Sequence, residues 1–332
     1  MLNVTLLLTV IIIALALAFD FINGFHDTAN AIATSVSTRV LSMRLAVLMS
    51  AVLNFAGAFM NEKVAKTIGN GLVAPGDIPQ KVIIVTLISA IVWNLLTWYY
   101  GIPSSSSHAL IGSLLGAAIA FKGSLYIVNW HNFFKTVVLW LFLSTIIGFL
   151  IGYLFMVIIQ WIFRKTRPSV VTKIFSKAQI FSAMLMALNH GSNDAQKSMG
   201  IITMALVSGG LIQGFHVQAW VKALCALAMA LGTSFGGYKI IKTMGMNMAR
   251  LAPVNGFAAE TGAAAVIFTA SMLSAPVSTT HTISTSIMGV AASKRLSSVR
   301  WVVAKNIIWA WVLTIPICAG MSALILTITK LF

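Results

Sequence analysis

Charge is scarce in this chain, and acid is scarcest. Its 332 residues include 22 Lys and Arg but only 6 Asp and Glu. Charged residues make up 8% of the chain, where an ordinary soluble protein carries about a quarter. Two soluble domains, the usual expectation at this length, cannot be solvated on that supply. Cysteine is nearly absent too. Cys225 and Cys318 both lie in apolar runs, so they read as small buried hydrophobes and not as a disulfide framework. No Lys or Arg precedes Arg39, so the basic start of a secretion signal is missing. No small-residue cleavage site closes the apolar run 6–19, which is expected to be a retained first membrane helix.

What the chain has is apolar residues, at 59%, and a mean hydropathy of +0.95. Lipid is the solvent for most of such a surface. The formal charge of +16 does not point to nucleic acid, because the cations sit singly or in small groups between apolar runs. They read instead as markers of the cytoplasmic ends of membrane helices. Windows 45–61, 82–121, 136–163, 198–221, 261–293 and 306–329 carry no charge. Window 82–121 is too long for one helix and breaks at Gly101-Ile102-Pro103, with Pro103 suited to a new first turn. The expected spans are 3–22, 43–61, 82–100, 104–121 and 133–163, then 178–199, a bent 200–235, 253–273, 277–293 and 301–328.

Residues 164–177 hold five cations and no acid, which places this loop in the cytoplasm. Counting spans from there puts both chain ends outside. Arg39, Arg44, Lys239, Lys242, Arg250, Lys294, Arg295, Arg300 and Lys305 then fall inside. Lys63, Lys66, Lys81, Lys122, Lys135, Lys222 and Lys330 fall outside.

The chain repeats itself. Gly24-Phe25-His26-Asp27-Thr28-Ala29-Asn30-Ala31 matches Gly191-Ser192-Asn193-Asp194-Ala195-Gln196-Lys197-Ser198. Pro103-Ser104-Ser105-Ser106-Ser107-His108 matches Pro276-Val277-Ser278-Thr279-Thr280-His281, and the weaker Lys66-Thr67-Ile68-Gly69 matches Lys242-Thr243-Met244-Gly245. An odd number of spans per half turns the second copy upside down. The expected fold is an all-α polytopic membrane protein of two inverted-topology repeats, about five spans each, with half-helices meeting near the midplane. Its parts are repeat 1 (1–163), a short basic cytoplasmic loop (164–177) and repeat 2 (178–332).

Asp27 and Asp194 occupy equivalent places, at the expected ends of apolar helices. A carboxylate at membrane depth is costly, so the pair reads as ion or proton sites, against helix capping as the plainer role. Asn23, Asn30, Asn189 and Asn193 offer amide oxygens to a cation. His26 stands where the other copy has Asn193; a lone histidine is usually a structural one, but beside an intramembrane Asp it makes proton coupling credible. Glu260 is a further candidate coupling carboxylate, and Asp20 is read as a helix-end residue. Ser104, Ser105, Ser106 and Ser107 are expected in a helix first turn, where unpaired N–H groups and the helix dipole make a phosphate or sulfate cradle without a fixed positive charge. Ser278, Thr279 and Thr280 supply the second half of it. His108 and His281 follow, either bonding to the cradle or locking the helix pair. Gly112-x-x-x-Gly116 and Gly148-x-x-x-Gly152 read as close-packing surfaces. Trp130, Trp220 and Trp301 read as interfacial anchors.

At the two Asp motifs and the two Pro-hydroxyl-His segments, the sequence resembles the inorganic phosphate transporter (PiT) family over essentially its whole length. The resemblance implies phosphate uptake driven by a cation gradient, alternating access and a homodimer. It maps ion coupling onto Asp27, Asn30, Asn193 and Asp194. It maps phosphate onto Ser104, Ser105, Ser106, Ser107, Ser278, Thr279 and Thr280. Sodium-coupled members usually carry Asn where His26 stands. The form here is similar to bacterial low-affinity phosphate permeases, which couple to protons and can carry metal–phosphate complexes. The expectation is therefore a plasma-membrane phosphate symporter using protons, with no cofactor beyond the co-transported ion and no nucleic-acid partner. Sodium coupling, a sulfate permease, an intramembrane enzyme built on the paired Asp residues and a passive anion channel are the alternatives.

Overall fold

Helix α1 (Leu2–Ser37) does not stop at the first Asp motif, and α8 (Pro168–Ser208) runs through the second. This corrects the placement of Asp27 and Asp194 at helix ends. Asn, Asp and Gly are weak helix formers in water. In an apolar surround, however, each backbone N–H and C=O must be paired within the protein, and an unbroken helix does that by itself. The computed structural model describes residues 2–331, with side chains from residue 4 to residue 329. The extreme chain ends, expected outside, and the side chain of Lys330 lie beyond the described residues.

After α1 come α2 (Met43–Gly57), α3 (Lys63–Lys66, continued by a π-helical turn Thr67–Gly71), α4 (Gln80–Tyr100), α5 (Ser106–Lys122), α6 (Trp130–Asn132) and α7 (Leu139–Ile162). After α8 the same order returns: α9 (Ala219–Phe235), α10 (Tyr238–Lys242, continued by a π-helical turn Thr243–Asn247), α11 (Pro253–Met272), α12 (Thr279–Ala292) and α13 (Trp301–Leu331). The weak Lys-Thr-x-Gly repeat thus marks two matching π-helical turns. The stretch 164–177 is loop only as far as residue 167, since α8 begins at Pro168. The expected bent span 200–235 is the end of α8, a loop and then α9.

Val4–Ser37, Gln80–Tyr100, Trp130–Ile162, Pro168–Ser208 and Trp301–Thr329 are long and apolar enough to cross a bilayer, and α9 with α10 makes a sixth candidate bent by 66°. Helices α5 and α12, with 17 and 14 residues, fall short of the roughly 20 that a span needs. They are the half-helices. The chain is an all-α, multi-pass membrane protein built as an inverted repeat.

The halves are interleaved. Within each half, α1 packs on α4 and α8 on α11. Across halves, α5 packs on α13, α12 on α7, α1 on α9 and α2 on α8. Glycine permits the closest of these approaches. A Cβ on Gly112 or Gly116 would collide with the α13 backbone at Ile315 and Ala319, and one on Gly148 or Gly152 with α12 at Thr282, Thr285 and Ser286.

Each half-helix is preceded by a left-handed residue, Gly101 (φ 67°) or Ser274 (φ 63°). The opposite half clasps each break. Lys63 Nζ donates to Met272 O (3.0 Å) and Thr67 Oγ1 to Ser274 O (2.7 Å). Lys239 Nζ donates to Tyr99 O (2.9 Å) and Thr243 Oγ1 to Gly101 O (3.1 Å).

Candidate functional site

The two half-helix N-termini meet. Ser105 caps α5 by accepting from His108 N, and Ser278 caps α12 by accepting from His281 N, each at 3.2 Å. Ser104 and Ser105 therefore precede the helix, and Ser278 is a cap; the expectation that these residues lie within the first turn is corrected here. The remaining first-turn N–H groups have no partner within their helix. Ser107 Oγ donates to Val277 O across the seam (3.2 Å). Asn30 Nδ2, from α1, donates to Thr279 Oγ1 (3.1 Å) and Thr280 Oγ1 (3.0 Å). The His108 and His281 rings stand edge to face with centroids 4.9 Å apart, and His281 stacks on Trp311. Among the described residues neither ring bonds to a cradle hydroxyl, and the ring pair bridges the two half-helices.

The acids flank this junction. Asp27 Oδ1 lies 2.7 Å from His26 Nδ1, and Asp27 Oδ2 accepts from Ser106 Oγ at 2.9 Å. His26 Nε2 contacts Thr97 Oγ1 (3.0 Å), to which Ser104 Oγ also donates (2.9 Å). Asp194 Oδ1 accepts from Asn193 Nδ2 (2.8 Å), whose other donor bond goes to Val277 O (3.1 Å). Asn23 Nδ2 reaches Asp194 Oδ2 at 3.4 Å.

Lys197 is the residue that sequence reasoning missed. It is fully buried, and its Nζ lies 2.9 Å from Asp194 Oδ2 and 3.2 Å from Ser106 Oγ. The cradle does hold a fixed positive charge, contrary to expectation. The available signal was the spacing: Asp194 and Lys197 lie one helical turn apart and face the same way.

His190 was missed as well. Its Nδ1 lies 3.1 Å from Asn54 Oδ1 and its Nε2 lies 3.5 Å from Asp194 Oδ2. Ligand atoms of Asp27, His190 and Asp194 lie within 4.8 Å of one another, close enough to hold one metal ion. Every member of this cluster is buried.

Two candidates lie elsewhere. Asn189 donates to Leu185 O of its own helix (3.0 Å) and takes no part in the cluster. Glu260 is buried among Thr34, Gln179 and Ser182, all donating to its carboxylate, which pins α11 to α1 and α8.

Two helix N-termini, Lys197 and two carboxylates thus converge at one buried junction. Residues 23–322 match the model of the phosphate transporter family. The chain belongs to the phosphate transporter family. Among family proteins, a probable low-affinity inorganic phosphate transporter of Bacillus subtilis is 50% identical over 97% of both chains. One from Rhizobium meliloti is 49% identical over 94% of both. A solved sodium-dependent phosphate transporter shares the fold, with a TM-score of 0.87 and 24% identity, over 98% of this chain and 99% of the other. The family match spans both Asp motifs and both half-helices, and membership identifies a transport protein, not an enzyme acting through its paired acids.

Proposed function

We propose that this chain imports inorganic phosphate by cation symport, with alternating access around the junction of α5 and α12. The observation that carries it is Lys197, an ammonium touching both Ser106 of the cradle and Asp194 of the acid pair. Phosphate entering here meets two buried carboxylates whose repulsion is strong at low dielectric. A cation at Asp27 and Asp194 removes that repulsion, and the phosphate in turn stabilises the cation. Mutual stabilisation is coupling, so the two affinities rise together.

For the coupling ion we take sodium, the alternative of the sequence reading, over the proton. The transporter of like fold is described as sodium-dependent, though that likeness is one of fold. The chain's own atoms supply a hard ligand: Asn30 Oδ1 is buried and without a hydrogen-bond partner among the described residues. His26, on which the proton reading rests, is committed to Asp27 and Thr97. The trio Asp27, His190 and Asp194 supports a divalent ion entering as cargo with the phosphate.

The two repeats, 1–163 and 178–332, are taken to lie in the plasma membrane, with the basic turn between them cytoplasmic. The homodimer implied by the family resemblance is tested by the mass of the solubilised protein.

The deciding experiment is labelled phosphate uptake into proteoliposomes, with sodium and pH gradients imposed separately and sulfate as competitor. A sodium gradient should concentrate phosphate, and Asp27→Asn or Asp194→Asn should abolish accumulation in folded protein. Accumulation retained in both variants would count against the site. Uptake driven by pH alone would return the coupling to protons.

A further inference from the structure

Asp20 was set aside as a helix-end residue, but it lies inside α1 and is fully buried. Its Oδ1 accepts from Ser198 Oγ at 2.7 Å, and the Cys225 thiol is a second neutral neighbour. Its Oδ2 is buried and has no hydrogen-bond partner among the described residues. One turn along α1, Asn23 Oδ1 is in the same condition, because its amide Nδ2 is turned to Asp194. Side chains three residues apart on a helix share a face. Asp20 and Asn23 both reach α8, at Ser198 and Asp194, which are themselves four residues apart and share a face. The two unpartnered oxygens therefore lie along one seam between α1 and α8.

The local charges do not balance. Asp20, Asp27 and Asp194 are all buried carboxylates. Lys197, next in sequence to Ser198, is bonded to Asp194 and Ser106, and His26 is paired with Asp27. Hydroxyl and thiol donors do not neutralise a charge on Asp20, and a buried carboxylate is costly unless a proton or a cation accompanies it. Buried oxygen acceptors one turn apart and without donors are the ligand chemistry of a hard cation.

We propose that Asp20 Oδ2 and Asn23 Oδ1 bind a sodium ion on the α1–α8 seam, with Ser198 Oγ as a third oxygen, distinct from the site at Asp27 and Asp194. The assignment rests on the sodium reading above and deepens it by adding a second ion position. Its route to phosphate runs through Asn23. An ion holding Asn23 Oδ1 fixes the amide that donates to Asp194, and Asp194 positions Lys197.

The test is binding of radiolabelled sodium to the purified full-length protein without phosphate, comparing wild type, Asp20→Asn, Asn23→Ala and Asp27→Asn. Asp20→Asn should weaken binding at this position by about tenfold or more, as expected for loss of a charged ligand, and Asn23→Ala should weaken it less. Asp27→Asn should leave this position occupied. If Asp20→Asn does not elute as folded protein, Asn23→Ala carries the comparison. Sodium binding equal to wild type in both seam variants overturns the site, as does occupancy that follows pH instead of sodium. Phosphate uptake measured on the same preparations separates the two readings. Wild type that fails to accumulate phosphate rejects the transport reading, while intact uptake with unchanged sodium binding in the seam variants rejects the seam site alone.

Discussion

One ammonium sets the electrostatics of the junction. Lys197 and Asp194 are fully buried and 2.9 Å apart, so removing either strands the other without water. Breaking such a pair typically costs about 3–5 kcal/mol, whereas replacing both partners is far milder. Lys197→Met should therefore lower thermal stability in detergent markedly, and Lys197→Met with Asp194→Asn should recover most of it. Transport should remain absent in the double variant. Recovery of uptake along with stability would mean that Lys197 is only structural. The sequence displays both residues within a matched motif, but not the contact between them. A charge's partner depends on burial, which one sequence does not display. Glu260 was visible for the opposite reason, as an acid in an uncharged span, but its three donors come from distant parts of the chain.

The turn before α5 is the one the sequence marks most directly. The break at Gly101 through Pro103 is there, with Gly101 supplying the left-handed conformation that a side chain resists. The small-residue stripes are seams. The continuity of α1 and α8 through their polar motifs was not legible, because propensity argues for a break and only the apolar surround forbids it. Gly116→Leu should force α5 away from Ala319 of α13, an overpacking cost of about 1–3 kcal/mol or more. Reduced thermal stability and a broadened elution profile would report it, and an unshifted melting curve would contradict the packing. Ser105→Ala and Ser278→Ala each remove one helix cap of equal geometry, so each should cost about 1 kcal/mol, in matching amounts.

Across the molecule, the repeat is written twice, once in matched motifs and once in crossed clasps. Lys63 and Thr67 hold the break before α12, and Lys239 and Thr243 hold the break before α5. Inversion sets these clasps at opposite faces, and in this structure both are made. Weakening one should favour opening on its own side only. Lys63→Ala with Thr67→Val and Lys239→Ala with Thr243→Val should shift labelling of introduced cysteines in opposite directions across the membrane. A shift in the same direction for both pairs would show that the clasps are merely structural. The motifs made the inverted architecture legible. The clasps were not, because their acceptors are backbone carbonyls, which any residue offers.

The unbroken course of α1 also fixes distances. Asp20, Asp27 and Thr34, the last bonded to Glu260, follow one another at two-turn intervals, about 10 Å of rise each. The helix is a graduated rod carrying acid contacts at three evenly spaced depths, with the junction of the two half-helices at the middle mark. Each interval is about a third of the hydrocarbon thickness. A cation passing from one outer mark to the other would never be farther than about 5 Å of rise from a carboxylate's level.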